Sequence, residues 1–490
     1  MKFLTNLFLY IDLPKQNLLW NMLGGSWNAV LLIIVTPIYI AYIGLDGYGI
    51  LGLWIMLLSL SGIFDMGIGA SIVREFSINK NNSSYILDAL RTFEVLIITV
   101  SIIFTVILLS ISEKYSLNSN FFSAEEINHI IKLLIISVGF QYVVTIYSSG
   151  LVGYQKHFTL NAILILINTL RHTLGILSLA YAQDLILFFQ IQILLSITQA
   201  IITRAYLIRY IGKRSTKKVK FRLDIIQKIW RFSAGIAITS IGALIISNVD
   251  RIILAAYTDT TELGKYALAV SAAVILQMGI QPFYKSYYPR YSELIGNKKE
   301  LRRVYFESCQ IMASVIIPIM IISLLMAPKI FKIWLGDYEE TSIISFKLLV
   351  IGIGLSGLMW LPAALQHALG WTRLHASMIY LSIIVGIPIL LLSFEVIGTP
   401  AASYVWITHG IIEITLGLIL MHMYVFKKDL FLWIYKVILI PTIISLPPIY
   451  LSNYFYIETI SSFLGIIWIL STLLILFIFL IRYNFLSPIK

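Results

Sequence analysis

The side chains of this chain that could do chemistry are ionisable residues stranded inside long apolar runs. Arg171 and His172 lie near the middle of one such run, Asn161 to Ala180, and His409 and Glu413 near the middle of another, 400–425. A charge at that depth in a bilayer is costly and marks a functional site unless a partner offsets it. A guanidinium stays charged and grips phosphate-like oxyanions through a planar, bidentate fork. Arg171 is therefore the best single candidate for contact with an anionic substrate. Its structural alternative is an ion pair with an acid on another helix, for which Glu94 and Glu413 are the first acids to test. His409 and Glu413 stand four residues apart, on one face of a helix. Histidine titrates near neutral pH, so a proton-coupling role stands beside the plainer reading of satisfied interhelical hydrogen bonds. Both pairs must face a water-filled cavity or each other.

The elements that position these residues are membrane helices. Of the 490 residues, 59% are hydrophobic and only 12% charged, with a mean hydropathy of +0.89, against about 25% charged in soluble proteins. A bilayer core takes about 20 apolar residues of helix. Fourteen spans are expected: 18–41, 48–73, 88–110, 128–150, 158–181, 184–208, 229–256, 264–288, 304–327, 343–367, 374–395, 400–425, 430–451 and 459–482. With the N-terminus taken as cytoplasmic, most Lys and Arg residues fall in inside loops, while outside loops hold mainly acids such as Asp46, Glu113, Asp184, Asp259 and Glu339. The net charge of +12 is then a topology signal and not a nucleic-acid footprint. Both termini are expected in the cytoplasm. Residues 1–16 lack a small-residue cleavage site, so no cleavable signal peptide is expected and the first span itself must direct insertion.

The expected fold is an all-α polytopic membrane protein with two pseudo-symmetric six-helix lobes and two further helices. The lobes would be 1–210 and 229–427, joined by the basic cytoplasmic linker 211–228, with the last two helices in 428–490. A weak internal repeat supports the duplication. TPIYIAYIGLDGYGILGL follows span one and SNVDRIILAAYTDTTELGKYALAV follows span seven, each a helix, an acidic turn, then Gly and Tyr opening the next helix. Duplicated lobes are a recurrent transporter plan.

The shallower charges read as follows. Asp65 is the only ionised side chain between Tyr48 and Val73; it closes a glycine-rich stretch near Arg74, with which it could pair close to the headgroups. Glu94 and Glu307 sit one or two turns inside the cytoplasmic ends of spans three and nine. Asp250 and Arg251, near the periplasmic end of span seven, are adjacent and so expected on different faces, with a lobe-closing ion pair as the default. His367, Arg373 and His375 flank a cytoplasmic turn and read as topogenic. The single Cys309 excludes an intrachain disulfide and a cysteine metal cluster; it is expected buried and inert. No metal site and no cofactor is expected.

Four segments carry a family resemblance: Pro37 to Gly49, FDMGIGASIVREF (Phe64 to Phe76), NVDRIILAAYTDTTELGKYALA (Asn248 to Ala269) and LPAALQHALGWTRLHASM (Leu361 to Met378). Together they resemble the Wzx-type oligosaccharide flippases, of the superfamily that includes the MATE drug exporters and the bacterial lipid II flippase. The resemblance implies a two-lobed helical bundle in the bacterial inner membrane. It implies movement of an undecaprenyl-pyrophosphate-linked oligosaccharide to the periplasmic leaflet for O-antigen, capsule or exopolysaccharide synthesis. Arg171, His172, Asp65 and Arg74 are the expected substrate contacts. His409, Glu413, Asp250, Arg251, Glu94 and Glu307 are the expected coupling or gating groups. Expected partners are the lipid-linked substrate, membrane lipids, a polysaccharide polymerase and a chain-length regulator, and no nucleic acid. No P-loop, HExxH or GxSxG motif occurs, so no enzyme activity is expected. A MATE-type cation antiporter, a lipid II flippase and a polysaccharide polymerase are the alternatives.

Overall fold

The computed structural model describes residues 13–65, 68–113, 122–182, 184–212, 220–227, 241–336, 339–427, 429–455, 468, 471–473 and 475–476. The described residues are helical throughout, with no strand, and 11 of their helices are long and apolar enough to cross a membrane. Most of the basic run Lys213 to Lys220, residues 229–240 of the expected span 229–256, and most of the expected span 459–482 fall outside the described residues.

The helices are α1 (Leu13–Asp65), α2 (Ile68–Ile78), α3 (Ser83–Ser112), α4 (Ala124–Gly153), α5 (His157–Ala182), α6 (Leu185–Ile211), α7 (Val249–Tyr257), α8 (Thr260–Leu294), α9 (Lys298–Leu335), α10 (Glu340–Leu358), α11 (Trp360–Ala368) and α12 (Thr372–Ile397). A short 3₁₀ turn, Thr399–Ser403, leads into α13 (Tyr404–Ile412). A π-turn over Glu413–Gly417 then joins it to α14 (Leu418–Val425). After α15 (Leu430–Trp433) and a second π-turn comes α16 (Ile440–Phe455). The expected first two spans share α1. They are parted at Gly44, whose φ of 63° and ψ of −175° are open mainly to glycine. The gap expected between the spans 18–41 and 48–73 is thus a break at one residue, with 45–49 already helical.

Local sequence explains several helix starts. Ser123 and Glu126 form a reciprocal capping box at α4. Asp184 caps the start of α6, its side chain accepting from the Ile186 N–H at 2.7 Å.

By contacts the chain divides into two units: 1–251 with 255–264, and 252–254 with 265–490. In the first, α4 packs mainly on α6 and on α3, and α1 on α5. Ile72, Phe76, Ile86, Phe93, Ile97, Ile146, Leu151 and Leu207 form its buried core. Asn161 donates to Asn21 and Asn168 to Asn28, each at 2.9 Å. The numbering offset is the same in both bonds, so the first half of α1 and α5 run parallel, as the first and fifth of alternating spans must. In the same unit Asp46 accepts from the hydroxyls of Thr260 and Thr261. There Gly49 and Gly264 let two backbones touch: a Cβ on Gly264 would lie 1.7 Å from the Leu45 carbonyl oxygen. These are the acidic turns of the internal repeat.

In the second unit α10 and α12 pack on α13, and α9 on α10 and α16. Gly352 and Gly410 permit the close α10–α13 crossing; a Cβ on Gly352 would meet the Trp406 carbonyl carbon at 2.4 Å. Cys309 is fully buried, as expected of an inert thiol.

Candidate functional site

On α6, Gln192, Ser196 and Gln199 follow one another at spacings of four and three, which puts them on one helix face. All three are buried. That face meets Arg171 of α5, 7% exposed, while Gln141 of α4 closes the site from a third helix. The Arg171 guanidinium donates to Gln141 Oε1 at 2.6 Å, Ser196 Oγ at 3.0 Å, Gln199 Oε1 at 3.1 Å and Gln192 Oε1 at 3.2 Å. Every acceptor is neutral. No carboxylate lies within ion-pair reach of Arg171 among the described residues.

The structural alternative raised for Arg171, an ion pair with Glu94 or Glu413, is not formed among the described residues. Glu94 accepts from Arg204 Nε at 2.7 Å and from the Tyr147 hydroxyl at 3.2 Å, with Arg91 at 3.7 Å from its second oxygen. Glu413 lies in the other unit, 3.3 Å from His375 Nδ1. Both candidate acids are engaged elsewhere.

Further side chains of the α1–α5 seam make polar contacts. His172 Nδ1 lies 2.9 Å from the Tyr39 hydroxyl, Trp27 donates to Thr169 at 2.9 Å, and His157 lies 3.2 Å from Asn21 Oδ1. Arg171 and His172 are neighbours in sequence but have separate partners on different helices. Arg74 is exposed on α2, and the side chain of Asp65 lies outside the described residues. The neighbouring Glu75 is buried, accepting from the Tyr85 hydroxyl at 2.9 Å.

Where the chain re-enters after the basic linker, it is tied to the start of α3. The Lys220 N–H donates to Asp88 and the Arg222 N–H to Thr92. The Arg222 guanidinium, 2.6 Å away, holds the Asp224 carboxyl below the usual carboxylate range. Asp250 and Arg251, expected on different faces, reach each other at 3.8 Å because the arginine folds back to donate to the Ser247 carbonyl at 2.8 Å. Glu307 forms a single-turn pair with Arg303 at 2.8 Å, on a half-exposed face of α9.

In the second unit His409 and Glu413 do not pair. His409 Nδ1 lies 3.1 Å from Ser382 Oγ while Glu413 faces His375, both partners being on α12. His375 and His367 sit beside the turn expected to be merely topogenic. Their rings are 5.3 Å apart, and Tyr284 lies 2.6 Å from His367 Nδ1. Among the described residues no three His, Cys, Asp or Glu side chains converge to hold a metal. Gln141, Gln192, Ser196 and Gln199 were missed in the sequence. The one available signal was the three polar residues at helical spacing on α6.

The protein-family comparison matches residues 15–295, more than half the chain, to the family described as polysaccharide biosynthesis protein. A Shigella flexneri protein named "Putative O-antigen transporter" is 23% identical over 413 residues, covering 81% of this chain and 95% of that protein. The lipid II flippase MurJ, in an inward closed conformation, superposes with a TM-score of 0.71 at 14% identity, over 94% of this chain and 97% of MurJ. An inward-facing MATE family multidrug-resistance transporter of the MOP superfamily gives 0.61 at 14% identity, over 84% and 94%. At these identities the structural likeness establishes a common fold. The chain is a multi-pass helical membrane protein with the fold of MOP-superfamily transporters, and it belongs to the polysaccharide biosynthesis protein family.

Proposed function

We infer that this protein is a flippase for lipid-linked oligosaccharide. It moves undecaprenyl-pyrophosphate-linked repeat units from the cytoplasmic to the periplasmic leaflet of a bacterial inner membrane by alternating access of its two lobes. The flipped unit then passes to a polysaccharide polymerase and a chain-length regulator, for O-antigen, capsule or exopolysaccharide. Both termini lie in the cytoplasm, and the protein itself makes or breaks no glycosidic bond.

The observation that carries this reading is the Arg171 site. A cationic side chain in mid-span costs about 2.5–3.5 kcal/mol even on the mildest scale. Here that cost is met by amide and hydroxyl oxygens alone. Neutral dipoles hold the cation without neutralising it, so the site attracts an anion and repels a cation. Arg171 Nε makes no hydrogen bond among the described residues, leaving donor capacity for an incoming oxyanion. Pyrophosphate offers the paired oxygens that a guanidinium fork matches. Asparagine, tryptophan and tyrosine along the α1–α5 seam suit sugar hydroxyls and ring faces. A cationic drug would meet the wrong sign of charge.

The test is deletion of the gene followed by analysis of lipid-linked intermediates. Repeat units should accumulate on the inner leaflet while surface polysaccharide disappears, and wild-type protein should restore both. Normal surface polysaccharide in the deletion, or sensitivity to cationic drugs as its only phenotype, contradicts the reading.

A further inference from the structure

The second unit gathers titratable side chains from four helices around Glu413. The Glu413 side chain is 3% exposed and the His375 side chain 25%. Their nearest atoms, Glu413 Oε1 and His375 Nδ1, are 3.3 Å apart, close enough for an ion pair. The two are not aligned as a hydrogen bond, and neither atom has another hydrogen-bond partner among the described residues. The second carboxylate oxygen lies against Gly417, in an environment shared with Met359 and Met378. From His375 the path continues to His367, ring to ring at 5.3 Å, and then to Tyr284 at 2.6 Å. Both outer members are only partly buried.

The other titratable groups on the packed elements are accounted for. On α12, Arg373 is exposed. One turn before Glu413, His409 is occupied by Ser382. On α14, His422 lies 3.1 Å from its own Leu418 carbonyl. α10 carries Glu340 and Lys347 only in its first half. Among the described residues, the cationic partner that the carboxylate faces is a histidine. The backbone is also irregular at this point, since Glu413 opens the π-turn. Such turns are rare and concentrate at functional sites.

We propose that Glu413 and His375 form a proton-binding site, with His367 and Tyr284 as its relay toward solvent, whose occupancy drives the transport cycle. The chemistry is one proton shared by two bases. With it bound, Glu413 is a carboxylic acid beside a neutral His375 imidazole, and the pair is net neutral. When it leaves through His367, a lone buried carboxylate remains. An uncompensated buried charge is strongly unfavourable, so the proton-free state favours a rearrangement that wets or re-partners Glu413. The π-turn is the place where α13 and α14 can shift against each other. The coupling to transport rests on the flippase reading; the proton site does not.

Two measurements separate them. Infrared difference spectra of the reconstituted protein between acid and alkaline pH should show a buried protonated-carboxyl band. It should vanish in Glu413→Gln, survive with a moved midpoint in Glu413→Asp, and move in midpoint in His375→Asn. A wild-type spectrum without that band, or one unchanged by Glu413→Gln, overturns the site. In vesicles carrying lipid-linked repeat units, an imposed pH gradient should raise the headgroup translocation rate. The ratio of rates with and without the gradient should fall to unity in Glu413→Gln. A ratio that survives in that variant overturns the coupling. Should wild type move no headgroup while the infrared band behaves as expected, the flippase reading fails and the proton site stands.

Discussion

Replacing Arg171 separates a substrate contact from structural glue. In Arg171→Ala four oxygen acceptors lose a charged donor, but they are not all orphaned. Ser196 already donates to the Gln192 carbonyl at 2.8 Å, and Gln141 Nε2 lies 3.5 Å from Gln199 Oε1, so two amides can pair with each other. The acceptors left over cost about 1–3 kcal/mol, against about 2.5–3.5 kcal/mol recovered by no longer burying a cation. These nearly cancel, so the amount of inserted protein should stay close to wild type. Transport has no such offset. A hydrogen bond to a charged group contributes about 1.5–3 kcal/mol, so losing the pyrophosphate contact should slow translocation roughly ten- to a hundredfold. Arg171→Lys keeps the charge and loses the fork, and should fall between. The assay is translocation of lipid-linked repeat unit per unit of inserted protein. An unchanged ratio in Arg171→Ala refutes the reasoning, as does a loss confined to protein level in both variants.

Three further outcomes are expected. Glu94→Ala leaves the Tyr147 hydroxyl and Arg204 without their shared acceptor, and should cost about 1–3 kcal/mol of stability, seen as a lower unfolding temperature of the detergent-purified protein; an unshifted transition contradicts it. Gly264→Val should abolish stable insertion, because even a Cβ there collides with the Leu45 carbonyl, while Gly279→Val, with nothing within 4 Å of a Cβ, should be tolerated; equal protein levels contradict the close backbone approach. Reporter fusions at Lys218 and Lys490 should be active only with a cytoplasmic reporter, and a periplasmic signal at either breaks the expected topology.

Much of the fold was legible because hydropathy and charge are long-range averages. Apolar runs of spanning length do not depend on the neighbour of any one residue, and the parallel α1–α5 pairing agrees with spans that alternate in direction. Depth alone singled out Arg171, His409 and Glu413. Their partners were not legible. A glutamine on an apolar helix looks the same whether it faces lipid, a sugar or a guanidinium, so Gln141, Gln192 and Gln199 became meaningful only when three helices met. Spacing likewise misled at His409 and Glu413. Four residues on one helix face suggest a pair, but α12 packs close enough to give each its own partner, Ser382 and His375. His375 was set aside because turn-flanking basic residues usually report topology, and only the fold brought the carboxylate to it.

The most direct test of the central claim uses purified protein in vesicles loaded with lipid-linked repeat unit on one leaflet. The account predicts that the headgroup becomes accessible on the opposite leaflet, dependent on Arg171, with glycan length unchanged. Longer glycan product, or a headgroup that stays on its original leaflet while a cationic drug is exported, contradicts it.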